Sequence, residues 1–303
     1  MSAPYDSAYS MISLGSVSGV PANYGGLTLL DNSTLLLGGA ANGASGAIYS
    51  IGITRDVNQH ITGFTGTATL YKNAPNIDGG LSFGPGGVLF ATTFANNNLL
   101  QYKPGGGLNP DKTINLTPLG ISSSTGSLVF VPSGYGLPDA GGFRILSYSG
   151  GGYYTGTLTP DGSGTYNLSN IVQTATIGGG PEGMIYVPPG SPIFNPLNQY
   201  ALITRYSNGR VSAYQLDANG DPIAATESFF ITGLTGAEGA LYDPVSGDFL
   251  FSTFGGGNQI MRISGFATVP EPSTIILSGL GLSTIMLVGY KKARKRFGKK
   301  RRK

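Results

Sequence analysis

Short apolar segments and turn residues follow one another along this chain in a repeating order. Gly25-Gly26-Leu27, Gly79-Gly80-Leu81, Gly126-Ser127-Leu128, Gly183-Met184-Ile185 and Gly239-Ala240-Leu241 align, with their third residues 54, 47, 57 and 56 positions apart. A turn follows each, usually carrying proline: Pro85, Pro132, Pro188 and Pro244. Next comes a short apolar strand, as in Leu35-Leu36-Leu37, Val88-Leu89-Phe90, Ala201-Leu202-Ile203 and Phe249-Leu250-Phe251. A Gly/Asn turn then leads into an alternating strand, for example Ala47-Ile48-Tyr49-Ser50-Ile51 or Arg210-Val211-Ser212-Ala213-Tyr214. A fourth, more polar strand closes most units, as at Gly66–Tyr71 and Thr113–Leu116.

Four short strands in a unit of roughly 50 residues, repeated radially, predict the blade of a β-propeller. Turns such as Asn208-Gly209 and Asn219-Gly220 fit tight hairpins inside such blades. The fifth unit runs out before its outer strand. An orphan strand, Ala8–Leu14, stands at the other end of the chain. Lending that strand to the fifth blade would close the ring and remove two exposed sheet edges. The expectation is an all-β fold: a single five-bladed propeller over residues 1–266, followed by a C-terminal transmembrane helix. A sixth blade stays open if the chain is preceded by more than a leader. A β-sandwich would not produce so regular a period.

The hydropathy pattern changes at the C-terminus. Residues 267–274 form a Pro-Glu-Pro linker, residues 275–290 an uncharged apolar run, and residues 291–303 a basic tail. With Ser273 and Thr274 the apolar run reaches 18 residues. A helix of that length covers roughly 27 Å, close to a ~30 Å hydrocarbon core. Ten of the last 13 residues are Lys or Arg. That places this end on the cytoplasmic side and leaves the body outside.

Val269-Pro270-Glu271-Pro272-Ser273, the apolar run and the Arg/Lys cluster stand in the order of a PEP-CTERM sorting signal, and the chain resembles proteins that carry one. The resemblance covers about Val269 to Phe297. It implies export, recognition by an exosortase-type membrane peptidase, and removal of the helix. It also implies placement at the surface or in the matrix of a bacterium that makes exopolysaccharide. Residues 1–20 depart from the pattern. No basic residue precedes Arg55, and Met11-Ile12-Ser13-Leu14 is too short for a secretory h-region. The expectation is that a leader is missing from this sequence.

Charge sharpens the picture of the body. Ten of the eighteen Lys and Arg lie beyond Tyr290, leaving eight against fifteen Asp and Glu, so the residues before Lys291 sit near −7. That argues against nucleic acid as a partner. The basic tail reads as a topology determinant assisted by membrane lipid. The chain contains no cysteine, which excludes disulfides, thiolate metal sites and a cysteine nucleophile.

Candidate chemistry is sparse. The residue before each aligned glycine is Tyr24, Asp78, Thr125, Glu182 and Glu238 in turn. In a propeller these stand where the inner strands begin, near the mouth of the central channel. Asp78, Glu182 and Glu238 converging there would be able to hold Ca²⁺, which takes oxygen ligands from several strands. Glu182-Gly183 and Glu238-Gly239 are loosely similar to channel-mouth residues of SMP-30/gluconolactonase-type propellers. The plainer reading, which the sequence favours, is that these residues repeat because the blade repeats.

Asp217-Ala218-Asn219-Gly220-Asp221 looks like a calcium loop but lacks the acidic twelfth position, and reads better as a hairpin turn. Asp161-Gly162-Ser163-Gly164 reads the same way. His60, the only histidine, reads as a surface residue. Tyr148, Tyr153, Tyr154 and Tyr206 have the chemistry to stack on sugars, although most strand tyrosines simply pack. Nucleophile elbows, zinc motifs and phosphate-binding loops are absent.

Two functions are therefore in view. One is a non-catalytic surface or matrix protein that binds exopolysaccharide or another surface protein. The alternative is an exported metal-dependent hydrolase of the gluconolactonase kind, resting only on the acidic residues.

Overall fold

In the computed structural model, the residues described are 1–268. They form five four-stranded antiparallel sheets, arranged as the blades of one propeller. After an N-terminal strand β1 (Ser10–Gly15), the first blade holds β2 (Leu27–Asp31), β3 (Thr34–Gly39), β4 (Ala47–Arg55) and β5 (Ile61–Asn73). The second holds β6 (Ile77–Phe83), β7 (Leu89–Thr93), β8 (Asn98–Tyr102) and β9 (Lys112–Asn115). The third holds β10 (Thr125–Phe130), β11 (Phe143–Ser147), β12 (Gly152–Pro160) and β13 (Tyr166–Thr176). The fourth holds β14 (Pro181–Tyr186), β15 (Tyr200–Arg205), β16 (Arg210–Gln215) and β17 (Ser228–Thr232).

The fifth blade is built from both ends of the described chain. Its first three strands are β18 (Ala237–Asp243), β19 (Asp248–Thr253) and β20 (Ile260–Ser264), and its outer strand is β1 (Ser10–Gly15). β1 runs antiparallel to β20 with Ser10 opposite Ser264 and Met11 opposite Ile263. The orphan N-terminal strand thus closes the ring. Ahead of it, Tyr5 and Tyr9 enter an aromatic cluster: Tyr5 lies 4.9 Å from Phe230 and Tyr9 lies 4.6 Å from Phe266 between ring centroids. Closure rests on packing as well as on strand pairing.

The second strand of each blade explains the unbroken apolar runs. Leu35, Leu36 and Leu37 are fully buried, as are Ala201, Leu202 and Ile203, and Phe249, Leu250 and Phe251. These strands are covered on both faces because neighbouring blades stack against them, so alternation would leave polar groups in the core. The outer strand β5 has mostly exposed or half-exposed positions, matching its polar sequence. Apolar clusters fill the spaces between blades; one joins Tyr24, Leu27 and Leu35 of the first unit to Leu250 and Ile260 of the last.

The aligned glycines mark where the five inner strands meet. A Cβ on Gly79 would run into the backbone oxygens of Glu182 and Gly126. One on Gly239 would meet the Gly26 Cα and the Gly79 carbonyl. Backbone approaches backbone here, and only glycine fits. Hydroxyls of the second strands stitch neighbouring blades together: Thr204 Oγ1 donates to the Glu238 carbonyl and Ser252 Oγ to the Gly25 carbonyl, each at 2.5 Å.

No helix among the described residues is long and apolar enough to cross a membrane. The expected membrane helix at 275–290 and the motif residues Val269, Pro270, Glu271, Pro272 and Ser273 lie outside the described residues.

Candidate functional site

Three inner strands start with an acid in second position: Asp78 on β6, Glu182 on β14 and Glu238 on β18. The ring brings one oxygen of each within 4.8 Å of the other two. All three side chains are buried, with relative exposures of 0, 4 and 1 %. The two remaining members of the repeated position turn to other tasks. The Tyr24 hydroxyl accepts the Val17 N–H at 2.8 Å, and Thr125 Oγ1 donates to Asn97 Oδ1 at 2.9 Å.

Hydrogen bonding to the acids is thin. Ser124 Oγ donates to Asp78 Oδ2 at 3.1 Å. Asp78 Oδ1, Glu182 Oε2 and Glu238 Oε1 are buried without a hydrogen-bond partner. Among the described residues no Lys, Arg or His forms an ion pair with any of the three. Burial pushes the Asp78 carboxyl up to about 7, against the pull of Ser124 and Glu238. Burial also raises Glu182 well above the carboxylate range, and the negative charges of Asp78 and Glu238 add to it. Glu238 is raised by burial and by Asp78. A charge without water or a counterion favours its proton.

Around these acids, on the same end of the ring, a second set of residues occupies equivalent places. Ala40, Phe94, Tyr148, Tyr206 and Phe254 each follow the second strand of a blade. Each donates its backbone N–H to a carbonyl just ahead of its own inner strand: Ala22, Asn76, Ser124, Gly180 and Gly236, at 2.7–3.1 Å. Four of the five are aromatic. Tyr148 and Tyr206 lie 6.2 Å apart between centroids, and Tyr206 and Phe254 6.1 Å, both edge-on. Phe94 is 41 % exposed and the other three rings are half-exposed. The Tyr148 hydroxyl is 2.9 Å from Ser207 Oγ. Burial raises the Tyr206 phenol, and Glu238, Tyr148 and Glu182 add to the rise.

Of the tyrosines suggested by sequence, Tyr148 and Tyr206 are on this face. Tyr153 and Tyr154 are core residues, 0 and 3 % exposed. Phe94 and Phe254 were not singled out by sequence. Their signal was the position after the second strand, visible only once the blades are superposed.

His60 is half-exposed and has a carboxylate partner that the sequence could not assign. Its Nδ1 lies 2.9 and 3.0 Å from the two oxygens of Asp248, and its side chain is 27 % exposed. Arg55 Nη1 meets Asp243 Oδ2 at 2.6 Å, and Arg262 Nε lies 3.7 Å from Asp248 Oδ2. These groups span the seam between the first and fifth blades. Sequence separation of 188 residues hides the pairing until the ring closes. The Asp217–Asp221 segment is a turn, with Asp217 Oδ1 accepting the backbone N–H groups of Asn219 and Asp221 at 2.8 and 3.0 Å. Asp161 organises a similar turn, its Oδ1 accepting the Ser163 N–H at 2.8 Å.

Comparison with known proteins identifies the PEP-CTERM protein-sorting motif at residues 268–296. The chain is therefore an exported protein sorted to the cell envelope, and its motif implies processing by an exosortase, itself a membrane protein. No curated protein matches the sequence. Among solved structures it is similar to a protein of Bacteroides uniformis described as a 6-phosphogluconolactonase, at 17 % identity, covering 81 % of this chain and 68 % of that one, with a TM-score of 0.40. Virginiamycin B lyase of Staphylococcus aureus matches at 15 % identity over 87 and 75 % of the two chains, with a TM-score of 0.44. The aldose sugar dehydrogenase of Streptomyces coelicolor matches at 12 % identity over 84 and 98 %, with a TM-score of 0.41. None of these likenesses carries a chemistry over to this chain.

Proposed function

We propose that the exported propeller is a non-catalytic binding module of the cell surface, and that it holds saccharide units of the surrounding exopolysaccharide on its aromatic face. The observation that carries this reading is the arc Tyr148–Tyr206–Phe254, extended by Phe94, at equivalent places of four blades. Flat, half-exposed rings held at fixed positions match the C–H faces of sugar rings, and the tyrosine hydroxyls add hydrogen bonds. The hydrolase alternative is less well supported. Its acids are at most 4 % exposed, which keeps a sugar lactone from reaching them. Among the described residues, His60 points to Asp248 at the blade seam instead of to a nucleophile.

The test is affinity electrophoresis of the purified chain through gels containing bacterial exopolysaccharides, with hydrolysis of a lactone panel measured in parallel. Retardation by at least one polysaccharide is expected, together with its loss in Tyr206→Ala and no lactone turnover. Mobility that no polysaccharide changes, or turnover abolished by Glu182→Gln, would contradict the reading.

A further inference from the structure

We propose that Asp78, Glu182 and Glu238 form a divalent-cation site at the meeting point of the inner strands, with Ca²⁺ as the ion that fits best. This inference is independent of saccharide binding. Two oxygens bound to one cation at ~2.4 Å can be at most ~4.8 Å apart, and Ca²⁺ accepts irregular oxygen geometry, whereas Mg²⁺ demands near-ideal octahedral coordination and usually takes only one or two carboxylates. The three carboxylates offer oxygens that all fall within 4.8 Å of one another. A purely acidic, oxygen-only donor set suits a hard cation and gives no nitrogen or sulfur to a transition metal.

The second observation is the state of the carboxylates. Each acid is more than nine-tenths buried, and each has one oxygen that accepts no hydrogen bond: Asp78 Oδ1, Glu182 Oε2 and Glu238 Oε1. Leaving such groups unsatisfied is costly, and leaving them charged and unpaired is costlier. Protons answer the difficulty in part. Asp78 and Glu238 are near enough to share one hydrogen bond. Glu182 Oε2 gains nothing from that arrangement, because it is wedged against Gly126, where a Cβ would collide with it. A dication satisfies all three carboxylates together and leaves one net negative charge. Water completes the six to eight oxygens that Ca²⁺ takes. The ligands come from the second, fourth and fifth blades, so the ion would tie together strands that otherwise meet through glycine backbone.

The experiment uses the purified full chain, first stripped with EDTA. Equilibrium dialysis against radiolabelled Ca²⁺ gives the stoichiometry, and thermal unfolding with increasing CaCl₂ gives the linkage to folding. One Ca²⁺ per chain is expected, with an unfolding midpoint that rises with Ca²⁺ concentration as mass action requires. Glu182→Gln should weaken Ca²⁺ binding by at least about tenfold, the smallest loss seen when a group that merely supports a metal ligand is removed. Asp217→Asn, at the turn that looks like a calcium loop, should bind as the unmodified chain does. Substoichiometric Ca²⁺, a midpoint that ignores both EDTA and Ca²⁺, or loss of binding in Asp217→Asn but not in Glu182→Gln would each overturn the site. The dialysis on the unmodified chain decides the matter even if Glu182→Gln does not fold.

Discussion

At the seam between the first and last blades, Asp243 and Asp248 have fully buried side chains, and each meets a basic group. Arg55 serves Asp243, while His60 and Arg262 flank Asp248. At the axis, Asp78, Glu182 and Glu238 are buried to the same degree, and no basic side chain among the described residues pairs with them. The same residue types thus stand in opposite electrostatic settings within one ring. The seam carries its own countercharge because it must hold two ends of a chain together. The axis has no countercharge among its own side chains, so protons or a cation from solvent have to balance the acids. A buried pair tolerates loss of one partner poorly, whereas an unpaired acid gains when its charge is removed.

The largest effect should come from opening the seam. Deleting residues 1–16 removes β1, uncovers the edge of β20 and takes Tyr5 and Tyr9 out of their aromatic cluster. Loss of one buried aromatic side chain costs about 3–5 kcal/mol, so the deletion should cost more than about 5 kcal/mol. Urea unfolding would measure it, and an unchanged midpoint would sink the closure model. Next in size is Arg55→Met, which strands Asp243. Ser246 Oγ still donates to Asp243 Oδ2 at 2.7 Å, so the expected cost lies near the low end of the range for broken buried pairs, about 3 kcal/mol.

A change of sign is the sharper comparison. Asp248→Asn should destabilise, because Arg262 and His60 lose their anion. Glu182→Gln, measured in EDTA at alkaline pH, should stabilise by about 1–2 kcal/mol, because a buried carboxyl that is costly to ionise disappears. Destabilisation by both substitutions in EDTA would mean that the axial acids are matched after all.

The smallest effect concerns acid pH. Lys112 Nζ lies 2.8 Å from Asp161 Oδ2 across two blades, and this contact, followed by Thr165 and Ser163, holds the Asp161 carboxyl below its usual range. A lowered carboxyl stabilises the fold above the unfolded pKa of about 3.9, and that contribution is lost as pH falls through the lower folded value. Asp161→Asn should therefore lower stability at neutral pH and flatten its decline below about pH 4, so that variant and parent converge in acid. An identical acid limb in variant and parent would argue that Lys112 contributes nothing there.

Much of the fold could be read from the sequence, because a blade repeats its own pattern. The aligned glycines, the apolar second strands and the orphan strand at Ala8–Leu14 are local signals, and each has its counterpart in the structure. The acids Asp78, Glu182 and Glu238 were legible as a repeated position, but their burial was not. Burial follows from the closeness of five glycine-bearing strands, which no single strand encodes. His60 and Asp248 were illegible for a different reason: their contact exists only where the first blade meets the last. The aromatic arc lay between these cases. Tyr148 and Tyr206 drew notice as tyrosines, while Phe94 and Phe254 needed the register of the backbone bonds beneath them.

The most direct test of the unmatched axis is anomalous diffraction from crystals of the chain grown in CaCl₂. A single strong peak is expected among Asp78, Glu182 and Glu238, with carboxylate oxygens at about 2.3–2.6 Å. A map with no peak there, and with Asp78 and Glu238 closed into a hydrogen-bonded pair, would contradict the cation site.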